Sequence, residues 1–266
     1  MKYFYLTLSS ILIAYLLVIL FVYFYQRNLL YHPSENNYQN DKIQFNYDEV
    51  FIKVDEQIEL KSWLIKKDFK KLKTLLFLHG NAGHLSNRIH KLNELRKLDI
   101  NILLISWRGF SGNKGSPTEI NLYKDANAAI KWLNEQKISN NNIILYGESL
   151  GTGVAVELGK NNNFNSIILE SPFTSIENSA KIYYPYLPVK LLLKDRYDSI
   201  SKIKRIHAPI LIMHGKKDDV VPFSMGKELF EKANNPKHSY FTSDDDHMME
   251  FNSSLTKTIR DFIEKY

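Results

Sequence analysis

Short apolar segments alternate with longer amphipathic ones from Thr74 to the C-terminus, and this alternation restricts the fold more than any other feature of the chain. The apolar segments show no inward–outward alternation, which is typical of strands buried on both faces. Each is followed by a stretch with helical periodicity. The pattern therefore predicts an α/β fold, in which helices cover both faces of a mostly parallel central sheet. The predicted strands are TLLFLHG, NILLISW, NIILY, NSIILESPF, PILIMHG and HSYFTS.

Two further segments refine this prediction. Glu49–Val54 and Ile58–Ile65 have β-type composition around a polar turn, so we expect an antiparallel hairpin at one edge of the sheet. The segment PTEINLYKDANAAIKWLNEQ predicts a helix that begins at Pro117, since proline is favoured at the first helical position. Its predicted inward side chains are Ile120, Tyr123, Ala126, Ala129, Ile130 and Leu133.

An apolar run from Tyr3 to Tyr25 lies at the N-terminus, with no formal charge between Lys2 and Arg27. As a helix it would be about 35 Å long, enough to cross a hydrocarbon core of about 30 Å. Tyrosines crowd both ends, as interfacial anchors do. A cleaved signal peptide is the alternative, but its apolar core usually has about 7–15 residues. We therefore expect an uncleaved single-pass transmembrane helix, and the cations at its two ends favour neither orientation.

The chain divides into three predicted parts. These are a transmembrane anchor over residues 1–26, a polar connector over 27–46 and a catalytic domain over 47–266. Residues 174–205 interrupt the strand–helix alternation with prolines and aromatic side chains, and predict a small helical cap insertion. Two hypotheses fit this cap, a local packing unit or an apolar wall for an acyl chain.

Composition excludes several classes of site. The chain has no cysteine, so a disulfide framework, a cysteine-ligated zinc site, an iron–sulfur cluster and a cysteine nucleophile are all excluded. The formal net charge of +6 comes without an RNA-binding signature or zinc-finger spacing, and we expect no nucleic-acid partner. The acidic run Asp244–Asp246 has no spaced partner set, so we expect neither a metal nor a cofactor.

The strongest chemical signal is the sequence GESLG at residues 147–151. It follows the apolar strand NIILY and opens the helical segment TGVAVEL. A serine between two glycines at a strand-to-helix turn is the arrangement of a nucleophile elbow. The turn presents the hydroxyl of Ser149 away from the sheet, and the helix N-terminus favours developing negative charge. Ser149 is therefore the candidate nucleophile.

Acyl transfer also needs backbone N–H donors at the position where the carbonyl oxygen becomes negative. The elbow supplies one donor from Leu150. The glycine-rich segment HGNAG at residues 79–83 follows the first parallel strand, and its best-placed candidate for the second donor is Asn81.

An acid and a base complete the pattern. Asp218 and Asp219 lie just beyond the strand PILIMHG, and either could orient a histidine. His247 lies between the last strand and the last helix, and an imidazole can act as general base and then as general acid. The order serine, aspartate, histidine is that of the α/β hydrolases. His79 and His214 end strands, and we expect both to pack or to form local hydrogen bonds.

These motifs resemble the α/β-hydrolase fold superfamily from about Tyr47 to the C-terminus. Within it, the chain is similar to membrane-anchored "alpha/beta-hydrolase domain-containing" serine hydrolases, which include protein depalmitoylases. The resemblance implies esterase or thioesterase activity and favours Asp218 over Asp219 as the acid. It also implies a glycine-rich turn around the base, whereas His247 lies in DDDHMME. The matching segments are QRNLLYHPS, LHGNAGH, WRGFSGNKGSPTE, KDANAAI, LYGESLGTGVA, LESPFTS and MHGKKDDVVP.

We predict a membrane-anchored serine hydrolase that cleaves carboxylic ester or thioester bonds. Ser149 would attack the carbonyl, His247 would move the proton, Asp218 would orient the imidazole, and the amides of Leu150 and Asn81 would bind the oxyanion. The expected partner is an ester or acyl-thioester substrate, with a lipid and an acylated protein both open. Two alternatives are a serine peptidase of the same fold and a non-catalytic, membrane-anchored binding module.

Overall fold

The structure, a computed structural model, describes residues 1–34, 43 and 45–266. The predicted connector over 27–46 therefore lies partly outside the described residues, at 35–42 and 44.

Eight strands form one sheet in this part of the chain. Their apolar side chains alternate between the two faces, because successive residues of a strand point in opposite directions. In the third strand, for example, Leu75 and Phe77 enter one core layer and Leu76 and Leu78 the other. The strands are β1 (Asp48–Lys53), β2 (Glu59–Ile65), β3 (Thr74–Leu78), β4 (Asn101–Ile105), β5 (Ile143–Glu148), β6 (Ser166–Glu170), β7 (Ile210–Gly215) and β8 (Lys237–Thr242).

The strand order is β8-β7-β6-β5-β3-β4-β2-β1. Strands β3 to β8 are parallel to one another, whereas β2 is antiparallel to both β1 and β4. The predicted mostly parallel sheet and its antiparallel edge hairpin are confirmed. Leu78 pairs with Gly147, and Glu148 pairs with Glu170. The carboxyl ends of β3, β5 and β6 thus meet at one edge, which is where ligands bind in sheets of this kind.

Helices cover both faces of the sheet, as the sequence predicts. The described helices are α1 (Lys2–Leu30), α2 (Ile89–Leu95), α3 (Glu119–Glu135), α4 (Leu150–Gly159), α5 (Ile176–Tyr183), α6 (Val189–Leu192), α7 (Phe223–Lys232) and α8 (Ser253–Lys265). Side chains of α3, α4 and α7 fill the core on one face, and those of α2 and α8 fill the other. The short helices α5 and α6 lie within residues 174–205, which we call the cap.

Two details predicted for α3 are wrong. The helix begins at Glu119 rather than Pro117, because the hydroxyl of Thr118 accepts a hydrogen bond from the backbone N–H of Asn121 and caps it. The side chain of Ile120 is 66% exposed, so it does not point inward. Leu122 is buried instead, and two residues correspond to about 200° around a helix.

The N-terminal helix α1 continues to Leu30, four residues past the predicted end of the anchor. Among the described residues, it is the one helix that is long and apolar enough to cross a membrane. The most apolar part of this helix is not buried by the rest of the protein. Its C-terminal turns pack against the cap, where the guanidinium of Arg27 contacts the carboxylate of Asp195 at 2.8 Å. After the helix, His32–Pro33 pairs in parallel with Ala82–Gly83. The chain thus leads directly from α1 to the sheet edge that carries Ser149.

Candidate active site

Ser149 occupies a sharp turn between β5 and α4, with φ 49° and ψ −114°. A non-glycine residue in this region of backbone space costs of the order of 1–3 kcal/mol and persists only where its surroundings hold it. Here the backbone N–H of Ser149 donates to the carbonyl of Glu170 at 2.9 Å. The carbonyl of Ser149 accepts from the N–H of Thr152 at 2.9 Å. The predicted elbow is therefore present.

The two glycines of the elbow are required by close backbone contacts. A Cβ at position 147 would lie 2.7 Å from the carbonyl oxygen of Gly151. A Cβ at position 151 would overlap the carbonyl of Leu78. Because neither position has room for a side chain, α4 can begin directly against the end of β3 and the turn can stay tight.

The structure brings Ser149, His247 and Asp218 into one hydrogen-bonded chain. The Nε2 atom of His247 lies 2.9 Å from the hydroxyl oxygen of Ser149. Its Nδ1 atom lies 2.8 Å from Oδ2 of Asp218. A carboxylate accepts from Nδ1–H, and this leaves the lone pair of Nε2 directed at the serine hydroxyl. The arrangement has the geometry that general-base activation of a serine requires.

Asp218, and not Asp219, is the carboxylate that contacts His247. Its Oδ1 accepts from the backbone N–H groups of Val220 and Val221 at 2.9 and 2.7 Å. Burial raises the pKa of Asp218, but the hydrogen bonds from His214 and His247 outweigh burial and hold the pKa well below its usual value. The group is therefore ionised at neutral pH.

The two strand-end histidines form local contacts, as expected, but one of them touches the acid. His214 is fully buried, and its Nε2 lies 3.0 Å from both Oδ2 of Asp218 and the carbonyl of Val221. Sequence reasoning missed this role, although the position of His214 four residues before Asp218 was a usable signal. Nδ1 of His79 lies 2.8 Å from the carbonyl of Gly80, and burial lowers the pKa of His79 to about 3.

The turn around His247 holds its shape without the glycines that the resemblance implies. The hydroxyl of Ser171 donates to the carbonyl of His247 at 2.9 Å. Two residues later, Met249 adopts a positive φ of 35°, a conformation that favours glycine. The triple acidic run bonds within this region: Asp244 pairs with Lys217, and the described residues contain no group of three side chains placed to hold a metal ion.

The two predicted oxyanion donors lie beside Ser149. Leu150 is the first residue of α4, so helix geometry leaves its N–H without an intrahelical partner. Asn81 and Leu150 line the same cavity as Ser149. The side-chain amide of Asn81 donates to the carbonyl of Leu30 at 2.7 Å, which ties the loop to the end of α1. The N–H of the preceding Gly80 donates to the carboxylate of Glu148 at 3.2 Å.

A buried network of charges lies beneath the elbow, and sequence reasoning did not find it. Lys91 is fully buried and contacts Glu148 and Glu170, each at 2.7 Å. Arg88 contacts Glu148 at 2.6 Å, and the hydroxyl of Tyr146 donates to Glu170. Only the three-dimensional fold brings Lys91 to the strand ends.

Burial and pairing have opposite effects on these groups. Burial alone raises the pKa of Glu148, but Arg88 and Lys91 hold it well below its usual value. Glu170 has a raised pKa, because burial and the charge of Glu148 outweigh the attraction of Lys91. Burial lowers the pKa of Lys91, yet the two glutamates raise it above its usual value. Lys91 is therefore held as a cation between two carboxyl groups at the base of the elbow.

A cavity of about 380 Å³ opens above Ser149. Its walls come from the end of α1, the start of α4, helix α5 and the loop after β7. Most of the lining is apolar, and Leu30, Ile176 and Val221 contribute to it. A second cavity of about 140 Å³ adjoins it between α1 and the cap. The serine hydroxyl thus faces a space suited to an apolar group.

Comparisons with known proteins concern the fold as a whole rather than single residues of the site. Residues 115–266 match the profile of the prolyl oligopeptidase family. The alpha/beta hydrolase domain-containing protein WAV2 of Arabidopsis thaliana is 30% identical over 273 residues, covering 91% of this chain and 88% of that protein. The lysophosphatidylserine lipase ABHD12 of Danio rerio is 32% identical over 199 residues, covering 67% of this chain and 52% of that lipase.

A solved structure shares the same fold. The esterase Pf2001 of Pyrococcus furiosus superposes with a TM-score of 0.70 at 20% sequence identity. The superposition covers 89% of this chain and 97% of the esterase. At this identity the likeness concerns the arrangement of strands and helices.

Proposed function

Because the chain belongs to the family of alpha/beta hydrolase domain-containing proteins and has the α/β-hydrolase fold, we propose that it is a membrane-anchored serine hydrolase. It cleaves carboxylic ester or thioester bonds and passes through an acyl-enzyme. The observation that carries this proposal is the hydrogen-bonded chain from Ser149 through His247 to Asp218, which opens into an apolar cavity.

The proposed reaction has two halves. Ser149 attacks the acyl carbonyl while Nε2 of His247 takes its proton. The amides of Leu150 and Asn81 bind the oxygen that becomes negative. His247 then gives the proton to the leaving alcohol or thiol, and the acyl group stays on Ser149. In the second half, His247 activates a water molecule, which releases the acid and restores the serine.

The composition of the site supports an acyl substrate. Most side chains around Ser149 are apolar, and Asp219 alone is charged among the described residues that line the cavity. The name of the relative ABHD12, a lysophosphatidylserine lipase, agrees with an acyl lipid as one carrier. An acylated protein is the other carrier that this chemistry admits.

A labelling experiment tests the nucleophile. A fluorophosphonate probe should label the full-length protein, and Ser149→Ala should lose both labelling and hydrolysis of p-nitrophenyl esters. Loss of a triad member costs several orders of magnitude in turnover, because the members act as a unit. Ser179→Ala removes another serine of the same cavity and should keep the label. An unlabelled wild-type protein with a native melting transition would instead support the non-catalytic binding module.

Amide hydrolysis is the second candidate function, and the match to the prolyl oligopeptidase family favours it. A peptidase must protonate a poor leaving group and needs space for a peptide on both sides of the serine. Comparing kcat/KM for prolyl p-nitroanilides with that for p-nitrophenyl esters separates the two. Each kcat/KM is divided by the rate constant for uncatalysed hydrolysis of the same substrate. A larger corrected value for the anilides would contradict ester hydrolysis as the main activity.

The proposal includes the membrane anchor. Helix α1 has the length and apolarity to span a bilayer, and its exposed apolar side chains need a partner other than water. We therefore assign residues 1–26 to anchoring, with the catalytic domain over 47–266 and the cap over 174–205 as its parts.

A further inference from the structure

We propose that the membrane helix α1 forms one wall of an acyl-chain subsite, and that the acyl chain of a substrate in the bilayer reaches Ser149 laterally, between α1 and the cap. This inference rests on the proposed function, since it concerns the acyl group that Ser149 would attack. It adds a role for α1 and the cap in selecting the length of that chain.

The first observation is that the two cavities lie side by side. Both the cavity above Ser149 and the smaller one beside it are lined by residues from α1 and α5. The five shared lining residues are Leu29, Leu30, Ile176, Ala180 and Tyr184. Ala180 has the smallest side chain of the five, so the proposed path of an acyl chain from Ser149 into the second cavity passes this residue.

The second cavity extends toward the predicted membrane. It is lined almost wholly by apolar side chains, and its far end is at Val22, within the apolar run of α1. Val22 lies about 12 Å from Leu30 along the helix axis. The volume of about 140 Å³ is small compared with that of the cavity above Ser149. This small apolar space, which we call the channel, is suited to part of an acyl chain.

Polar contacts hold α1 and the cap together along this channel. Gln26 is only 8% exposed although it follows an apolar run. Its Nε2 donates to the carbonyl of Leu192 at 3.0 Å, and its Oε1 accepts from the N–H of Lys194 at 2.8 Å. The ion pair between Arg27 and Asp195 lies one residue further on. The channel is therefore bounded by two elements that are attached to each other.

Exposed apolar side chains of the cap lie beside the exposed part of α1. Leu191 is 82% exposed and Tyr186 is 63% exposed. The hydroxyl of Tyr15, inside the apolar run, donates to the carbonyl of Tyr186 at 2.7 Å. Tyr15 lies near the middle of the segment expected in lipid, so this contact places the tip of the cap alongside the apolar run of α1 rather than at its end. The outer end of the channel thus faces acyl chains rather than water.

Paired tryptophan substitutions on the same helix test the subsite. Leu192 lines the second cavity, whereas its neighbour Leu191 points away from it and is a matched control. The full-length protein is reconstituted in lipid nanodiscs and assayed with acetyl, butyryl, octanoyl, dodecanoyl and palmitoyl esters of p-nitrophenol. Leu192→Trp should lower the ratio of palmitoyl to butyryl kcat/KM at least tenfold. Leu191→Trp should leave that ratio within twofold of the wild type.

A second variant distinguishes a filled cavity from a folding defect caused by the first substitution. Ala180→Phe fills the junction between the two cavities from α5 rather than α6 and should shift the profile to shorter chains as well. Melting temperature and fluorophosphonate labelling report whether each variant is folded. If labelled, folded Leu192→Trp and Ala180→Phe keep the wild-type chain-length ratio, or if the wild type itself rejects palmitoyl esters, the lateral subsite is wrong.

The same variants identify the carrier of the chain. One arm uses a palmitoyl lysophospholipid and the other an S-palmitoyl cysteine peptide, both in nanodiscs. A loss of hydrolysis with Leu192→Trp in either arm supports the subsite and names the carrier, whereas two unresponsive arms contradict it. If the wild-type protein is neither labelled nor active on any substrate, the proposed function itself is wrong. If the enzyme is active but the variants keep its chain-length profile, only the subsite is wrong.

Discussion

At the scale of single residues, the carboxylate of Asp218 has four hydrogen-bond donors around it. Two are the imidazoles of His214 and His247, and two are the backbone N–H groups of Val220 and Val221. These bonds hold the carboxylate in one orientation and keep it ionised. The imidazole of His247 therefore keeps its proton on Nδ1, where the carboxylate accepts a hydrogen bond from it. The neighbouring Asp219 instead accepts a bond at its backbone carbonyl from the hydroxyl of Tyr183 at 2.7 Å.

We expect Asp218→Asn to lower kcat far more than Asp219→Asn. An amide at position 218 would favour the wrong imidazole tautomer, and the same change in a serine protease costs about four powers of ten in kcat. Steady-state hydrolysis of p-nitrophenyl esters by the two variants measures this difference. If Asp219→Asn were the more severe change, the acid would have to be reassigned.

At the scale of elements, the charges beneath the elbow connect α2 with the ends of β5 and β6. Lys91 belongs to α2, Glu148 ends β5 and Glu170 ends β6. Ser149 follows Glu148 directly, and its backbone N–H bonds to the carbonyl of Glu170. The position of the nucleophile therefore depends on a network whose charges compensate one another.

We expect Lys91→Met to destabilise the protein by about 3–5 kcal/mol, because removing one partner leaves buried charge without compensation. Lys97→Met is the matched control: Lys97 pairs with Glu94 at the surface, and such pairs contribute about 0–1 kcal/mol. Urea denaturation of the full-length protein in detergent measures both free energies of unfolding. Equal effects of the two substitutions would contradict a structural role for the buried network.

The loss of stability caused by Lys91→Met should depend on pH, and the pKa of Glu170 gives its direction. Without Lys91, the pKa of Glu170 should rise further above its value in the unfolded chain, about 4.3. A group whose pKa is raised in the folded state destabilises it at high pH, and that penalty disappears as pH falls through the folded pKa. The stability difference between the variant and the wild type should therefore be smaller at pH 5 than at pH 8.

At the scale of the whole molecule, α1 is both the predicted anchor and part of the site. Leu29 and Leu30 line the cavity above Ser149, and the carbonyl of Leu30 accepts from the side chain of Asn81. The anchor and the catalytic domain therefore share a surface, which the division of the sequence into separate parts did not anticipate.

We expect the full-length protein to sediment with membranes and to resist extraction by high salt or alkaline carbonate. A spanning helix is held by apolar burial, which salt does not weaken. Contacts made only by the lysine-rich segment at residues 66–73 would be screened. Immunoblotting of the washed membrane fraction measures retention, and mass spectrometry determines the N-terminus of the mature chain. Release by salt alone, or a mature chain that begins after residue 14, would contradict an uncleaved anchor.

Much of this protein could be predicted from local sequence patterns. The runs of apolar residues predicted the strands and helices, because periodicity depends on neighbours a few positions apart. The turn around Ser149 was also predictable, since the glycines at 147 and 151 and the flanking strand and helix lie within a short segment. The starting residue of α3 was not, because the hydroxyl of Thr118 decided it.

Only the tertiary structure decided which distant groups meet. Ser149 and His247 are 98 positions apart, and the hydrogen bond between them exists because parallel strands end at one edge of the sheet. The same convergence buries Lys91 between two glutamates and places His214 against Asp218. Side chains that look ordinary in sequence acquire these roles because burial removes water, and each polar group must then find its partner within the protein.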